Sequence, residues 1–327
     1  MVYPGQQSTV QVRIQIPVHR KKAAVELFDR AMDAYNDGGE KNYRRAAELL
    51  EKAIALEPRY SEAFLYLARV QNALFEEAAA EKFFRRAIEI DPDYLEARAS
   101  FGGMLLDIGN LDEAIRQLNV VVQRQRNHAM ANYLLAQAFR MKEQYPLAIE
   151  HARTAVRLQP GNGEAQFWLA ESLRMSGKYE EAKRDYLEYL RLSNFDSGVA
   201  RKINYYALGF LAGRFGRKTR ASQRDIWKDL RSLAYFGLCD SEYLLKRYEA
   251  AVAYCQKALT YAPGDPYAHF VLGKSYASFY NQTGKLEALP AASKHFRAML
   301  NLNADLTESE YARKTLASIE KALAAQP

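Results

Sequence analysis

The sequence predicts an all-α chain built from repeated two-helix hairpins, and three observations carry that prediction. Pro58, Pro92 and Pro160 stand 34 and 68 residues apart, one and two lengths of a single unit. Small residues recur at fixed places inside that unit, where two helices must touch closely. Alanine, leucine, glutamate, lysine and arginine dominate long stretches, while strand-favouring residues gather only near the start. An apolar share of 49% with 26% charged residues describes an ordered chain that can bury a core.

Residues 1–18 stand outside the helical pattern. In TVQVRIQIPV, the apolar Val10, Val12, Ile14, Ile16 and Val18 alternate with polar residues, which predicts a short β-strand. A lone strand is not stable. It either pairs with something outside this chain or is the remnant of an upstream β-sandwich; YPGQQSTVQVRI resembles the last strand of a carboxypeptidase-regulatory-type sandwich.

Five units follow over 23–194. The first ends at Pro58 with Tyr43, Ala46, Leu50 and Ala53 in phase, and its turn, NDGGEKN, is a few residues long for the pattern. The next four begin at Ser61, Leu95, Ala129 and Gly163. Counting those residues as position 1, position 8 holds Ala68, Gly102, Ala136 and Ala170, and position 20 holds Ala80, Ala114, Ala148 and Ala182. Larger apolar residues fill position 7 (Leu67, Phe101, Leu135, Leu169) and mostly position 24 (Phe84, Leu118, Ala152, Tyr186), so both helices carry an apolar stripe.

Residues 195–231 break the register. VARKINYYALGFLAG suits a helix, and GRFGRKTRASQRD reads as a basic loop leading into a new helix that starts near Ser222 or Gln223. Nine Lys or Arg stand against two Asp between Arg201 and Arg231, whereas the rest of the chain is balanced. Two further units occupy 232–304. One places Leu238, Cys239, Ala251 and Cys255 in phase, and the other Leu272, Gly273, Ala292 and Phe296, with an inserted turn around NQTGKLEALP. The segment 307–326 reads as a last amphipathic helix with Tyr311, Leu316, Ile319 and Leu323 on its inner side, a C-terminal cap.

The strings NLDEAIRQL, QYPLAIEHA and KYEEAKRDY, which open successive second helices, resemble those of tetratricopeptide-repeat (TPR) proteins. That resemblance implies a right-handed superhelical solenoid that binds a peptide or protein segment along a concave groove. It also implies that positions 2, 5, 9 and 12 of each first helix face the groove. Position 5 then gives an aromatic-rich rail of Leu65, Tyr133, Phe167, Phe236 and Phe270. Position 9 gives Arg69, Gln137, Glu171, Asp240 and Lys274, and position 12 gives Asn72, Arg140, Arg174 and Tyr243. Rings supply contact area at little rotamer entropy and arginine forks hold carboxylates, so the expected partner is a protein segment with apolar anchors and acidic residues.

Other chemistries find little support. GRFGRKT has Arg217 where a phosphate-binding loop needs glycine before its lysine. Arg214, Arg217, Lys218, Arg220 and Arg224 form a candidate basic contact patch, but with sparse aromatic interleaving it points to a solvated loop or a protein contact ahead of nucleic acid. Cys239 and Cys255 are expected as buried core thiols, and the five histidines as scattered, with no metal spacing and no cofactor. No serine sits in a nucleophile-elbow context and no catalytic residue is expected. With no signal-like leader and no run of about 18 apolar residues, the chain as written reads as cytoplasmic. A truncated N-terminus would reopen the periplasm or the exterior.

Overall fold

The computed structural model describes residues 20–194 and 223–325. Among them are 15 α-helices and no strand. The expected strand at 1–18 lies outside the described residues. The chain divides into two compact units, 1–97 and 98–327.

In the first unit, α1 (Lys22–Asp37) pairs with α2 (Glu40–Leu56) and α3 (Ser61–Ala73) with α4 (Glu77–Ile90). Its core gathers Ala31, Ala46, Leu50, Ala63 and Leu67, ringed by Phe28, Tyr35, Tyr60 and Tyr66. The second unit begins within α5 (Leu95–Asp107) and continues through α6 (Leu111–Arg124), α7 (Ala129–Met141), α8 (Tyr145–Leu158), α9 (Gly163–Met175) and α10 (Tyr179–Asn194). After the undescribed segment come α11 (Gln223–Leu244), α12 (Tyr248–Tyr261), α13 (Pro266–Thr283), α14 (Ala288–Leu302) and α15 (Ser309–Ala324). No helix among the described residues is long and apolar enough to cross a membrane.

The repeat positions meet as their sizes require. Ala80, Ala114, Ala148 and Ala182 at position 20 are all fully buried. Position 8 of the first helix faces position 24 of the second: a Cβ on Gly102 would come within 2.6 Å of Leu118, and one on Gly273 within 3.0 Å of Phe296. In these two hairpins a small residue opposite a large one therefore sets how closely the helices pack. The same geometry corrects the expectation for the cysteines. Cys239 at position 8 and Cys255 at position 24 are 5.1 Å apart at Cα and are joined in a disulfide, so α11 and α12 are cross-linked and hold no free thiols.

Turns repeat as closely as the core. In five hairpins the second residue after the first helix lies in the left-handed region: Phe75 (φ 63°), Gly109 (78°), Glu143 (59°), Gly177 (79°) and Lys246 (61°). Each time the following N–H donates to a carbonyl five residues back, as Lys178 N does to Leu173 O at 2.9 Å and Arg247 N to Glu242 O at 2.9 Å. Where the sequence had forecast longer turns, glycine takes over: Gly38 and Gly39 between α1 and α2, and Gly284 after α13. Several second-unit helices start on side-chain caps, with Asn162 Oδ1 accepting from Ala165 N at 3.1 Å and Asp265 Oδ1 from Tyr267 N at 2.9 Å.

Candidate functional site on the first-helix face

The first helices carry the residues expected to bind, and burial sorts them into two layers. Position 5 is core. Leu65, Tyr133, Phe167, Phe236 and Phe270 are each under a tenth exposed. Phe167 shows why: its ring lies 4.9 Å from Trp168, 6.1 Å from Tyr186 and 5.4 Å from Tyr189, the last two on α10. The expected rail of anchors is thus corrected to buried residues: Phe167 and Phe270 meet rings of the second helices behind them, while Tyr133 turns to Glu164 of the next first helix.

Positions 9 and 12 form the polar layer. In the first unit Arg69 pairs with Glu96 and covers the Tyr66 ring at 5.1 Å, and Asn72 is half-buried. In the second unit Arg174 Nη1 donates to Asp240 Oδ2 at 2.6 Å and Nη2 to Glu171 Oε2 at 3.1 Å, while Tyr186 donates its hydroxyl to Glu171 Oε1. Burial pushes the Glu171 carboxyl upward, but Arg174 and the Tyr186 hydroxyl overcome this and hold it below the usual carboxylate range. The Arg174 guanidinium, itself desolvated, is held charged by Glu171, Tyr186 and Asp240. Arg140 lies over the Trp168 ring at 4.6 Å, where burial lowers its pKa from the ordinary arginine value. The two arginines expected to greet an acidic partner are therefore engaged inside the protein, Arg174 with two carboxylates of its own.

A second polar chain crosses α7 and α9. Gln137 Nε2 donates to the Tyr133 hydroxyl at 2.7 Å, and that hydroxyl donates to Glu164 Oε2 at 2.7 Å. Enclosure raises Glu164 to about 7, partly opposed by the Tyr133 bond. Toward the C-terminal end the face changes character. Lys274 on α13 has no carboxylate within ion-pair distance among the described residues; its ammonium lies 4.4 Å from the Tyr243 centroid, 5.2 Å from Phe270 and 5.9 Å from Tyr311.

Two tetratricopeptide-repeat profiles match the chain, one over 28–94, 142–197 and 219–277 and the other over 75–138. The chain belongs to the tetratricopeptide-repeat family. Solved structures agree in fold. A TPR protein from Parabacteroides merdae ATCC 43184 is 14% identical, with 92% of this chain and 100% of that one covered at a TM-score of 0.53. PilW, described as a type IV pilus biogenesis factor, is 17% identical over 77% and 99% at 0.58. YrrB, described as a TPR protein with an unusual peptide-binding site, is 18% identical over 68% and 96% at 0.51. No curated protein matches the sequence.

Against the TPR register, two things were missed. Glu164 occupies position 2, a groove position by the family pattern, so its placement was available from the period alone. His269 and His295, read as scattered, come together across α13 and α14 with their Nδ1 atoms 2.9 Å apart, and His269 Nε2 lies 3.1 Å from Pro263 O. The Pro263 carbonyl must accept from Nε2–H, so His269 Nδ1 is the acceptor and His295 Nδ1 carries the shared proton. Desolvation and the neighbouring His269 hold His295 down to about 4. No group of three metal-ligating side chains occurs among the described residues. Of the basic patch, Arg214, Arg217, Lys218 and Arg220 lie outside the described residues, and Arg224 belongs to the first turn of α11.

Proposed function

We propose that this TPR chain is a non-catalytic scaffold that holds a protein or peptide segment against the first helices of its hairpins. The observation that carries the reading is the repeat itself: profile matches spanning more than half of the chain, with a closed aromatic layer at position 5 roofed by polar residues at positions 9 and 12. Such a face is stiff and presents directional donors and acceptors, which suits segment recognition. The peptide-binding site described for YrrB supports the same reading. A right-handed superhelical winding, hairpins over 23–194 and 232–304, and a cap at 307–326 belong to the proposal.

The test is a footprint. A partner captured by the immobilised chain is reduced to its minimal segment, and hydrogen exchange is compared with and without that segment. Protection is expected on α7, α9, α11 and α13, around Gln137, Tyr243 and Lys274. Protection confined to the second helices α8, α10 and α12 would overturn the reading. The charge concentrated between Arg201 and Arg231 supports one rival, a polyanion-binding role. Binding to random RNA that collapses between low and moderate salt would favour it.

A further inference from the structure

The cations expected on the first-helix face do not have equal standing. Arg69 is taken by Glu96, Arg174 by Glu171 and Asp240, and Arg140 is enclosed over Trp168. Lys274 is half-buried, yet rings are its only described neighbours of opposite polarity: Tyr243 from α11, Phe270 from its own helix and Tyr311 from α15. Ring faces stabilise an ammonium but accept none of its three N–H donors as a carboxylate would. They also displace water, which strengthens any ion pair formed there relative to one on an open surface.

We infer that Lys274 is the anchor for one carboxylate side chain of the bound segment, a deepening that rests on the scaffold reading above. Lys274 is the one cation described over the Tyr311 and Phe270 rings, and Arg174, which reaches α11 through Asp240, is already committed to Glu171 and Asp240. The site therefore matches a single negative charge and lacks the several donors that a phosphate dianion calls for. The Tyr311 ring remains 49% exposed and contacts Phe270 at 5.7 Å and Phe296 at 6.4 Å, an aromatic floor continuous with the core. A residue flanking the acid would lie on that floor, so the recognised element is an acidic residue beside an apolar one. Because Tyr311 comes from α15, the helix read from sequence only as a cap supplies part of the anchor.

Two blocked peptides test this, acetyl-Leu-Glu-Phe-Leu-amide and its glutamine twin, with no terminal charges. They are titrated into the full chain while NMR follows the Lys274 ε-methylene and the Tyr243 and Tyr311 rings. The glutamate peptide should shift all three and bind about five-fold more tightly than the glutamine one. Lys274→Met, which keeps the apolar stem, should abolish that preference, and Lys274→Arg should retain it. Equal affinities, a preference that survives Lys274→Met, or no shift at these groups would each overturn the anchor. Segment protection on the first helices would still stand in those cases, so the anchor and the scaffold reading fail separately.

Discussion

The first-helix face around α9 and the one around α13 use the same repeat positions for opposite ends. At α9 positions 9 and 12 are Glu171 and Arg174, which close on each other and on Asp240 and Tyr186, so that the one cation is shared by two acids. At α13 position 9 is Lys274, which has rings around it and no described acid. The contrast teaches that one repeat position can be taken up by pairing within the protein or left facing rings alone. What differs is whether the neighbouring hairpin supplies a counter-charge.

The largest blow to the α9 side should come from Gly237→Ala. A Cβ there would lie 2.2 Å from Tyr186 Cζ, and Tyr186 both fills the core and donates to Glu171. Overpacking of this kind costs about 3 kcal/mol, and chemical denaturation should show a correspondingly lower midpoint. An unchanged midpoint would mean that α11 does not approach α10 so closely. Next comes Arg174→Met, which leaves Glu171 and Asp240 facing each other without their shared cation. A loss of about 2 kcal/mol is expected, less than for a fully enclosed pair because all three groups keep some solvent. Lys274→Met should barely move the same midpoint, which is the sharpest form of the comparison.

Another effect depends on pH. Glu164 titrates near 7 in the folded protein against an ordinary value of 4.5. A raised carboxyl favours the fold fully below its unfolded pKa, and that contribution is lost as pH climbs through about 7. Glu164→Gln, still able to accept from Tyr133, should therefore nearly match the wild type at pH 4 and exceed it by about 3 kcal/mol at pH 8. Parallel stability curves across that range would show that the carboxyl is not enclosed.

The period made much of this legible. Small residues at positions 8 and 20 and the long first turn could be read from spacing, because local helix packing repeats with the sequence, and the start of α11 near Gln223 from its helix-start signals. Position 5 misled, since the depth of Phe167 depends on Tyr186 and Tyr189, two rings supplied by another helix. The Arg174–Asp240 pair joins residues 66 apart across the break in the register, and the disulfide needed the actual 5.1 Å approach of Cys239 and Cys255. Tyr311 was assigned to a capping face, and nothing in its own helix says that it looks onto Lys274.

The left-handed residue that ends five of the first helices is glycine at Gly109 and Gly177 but phenylalanine, glutamate and lysine at the other three. The bend is therefore imposed by closure of the hairpin and not by the side chain that happens to stand there. A joint of this kind is a standard fitting. One hairpin of the set could be cut out or exchanged for another without redesigning the elbow, and new binding faces could be assembled by shuffling parts this chain already owns.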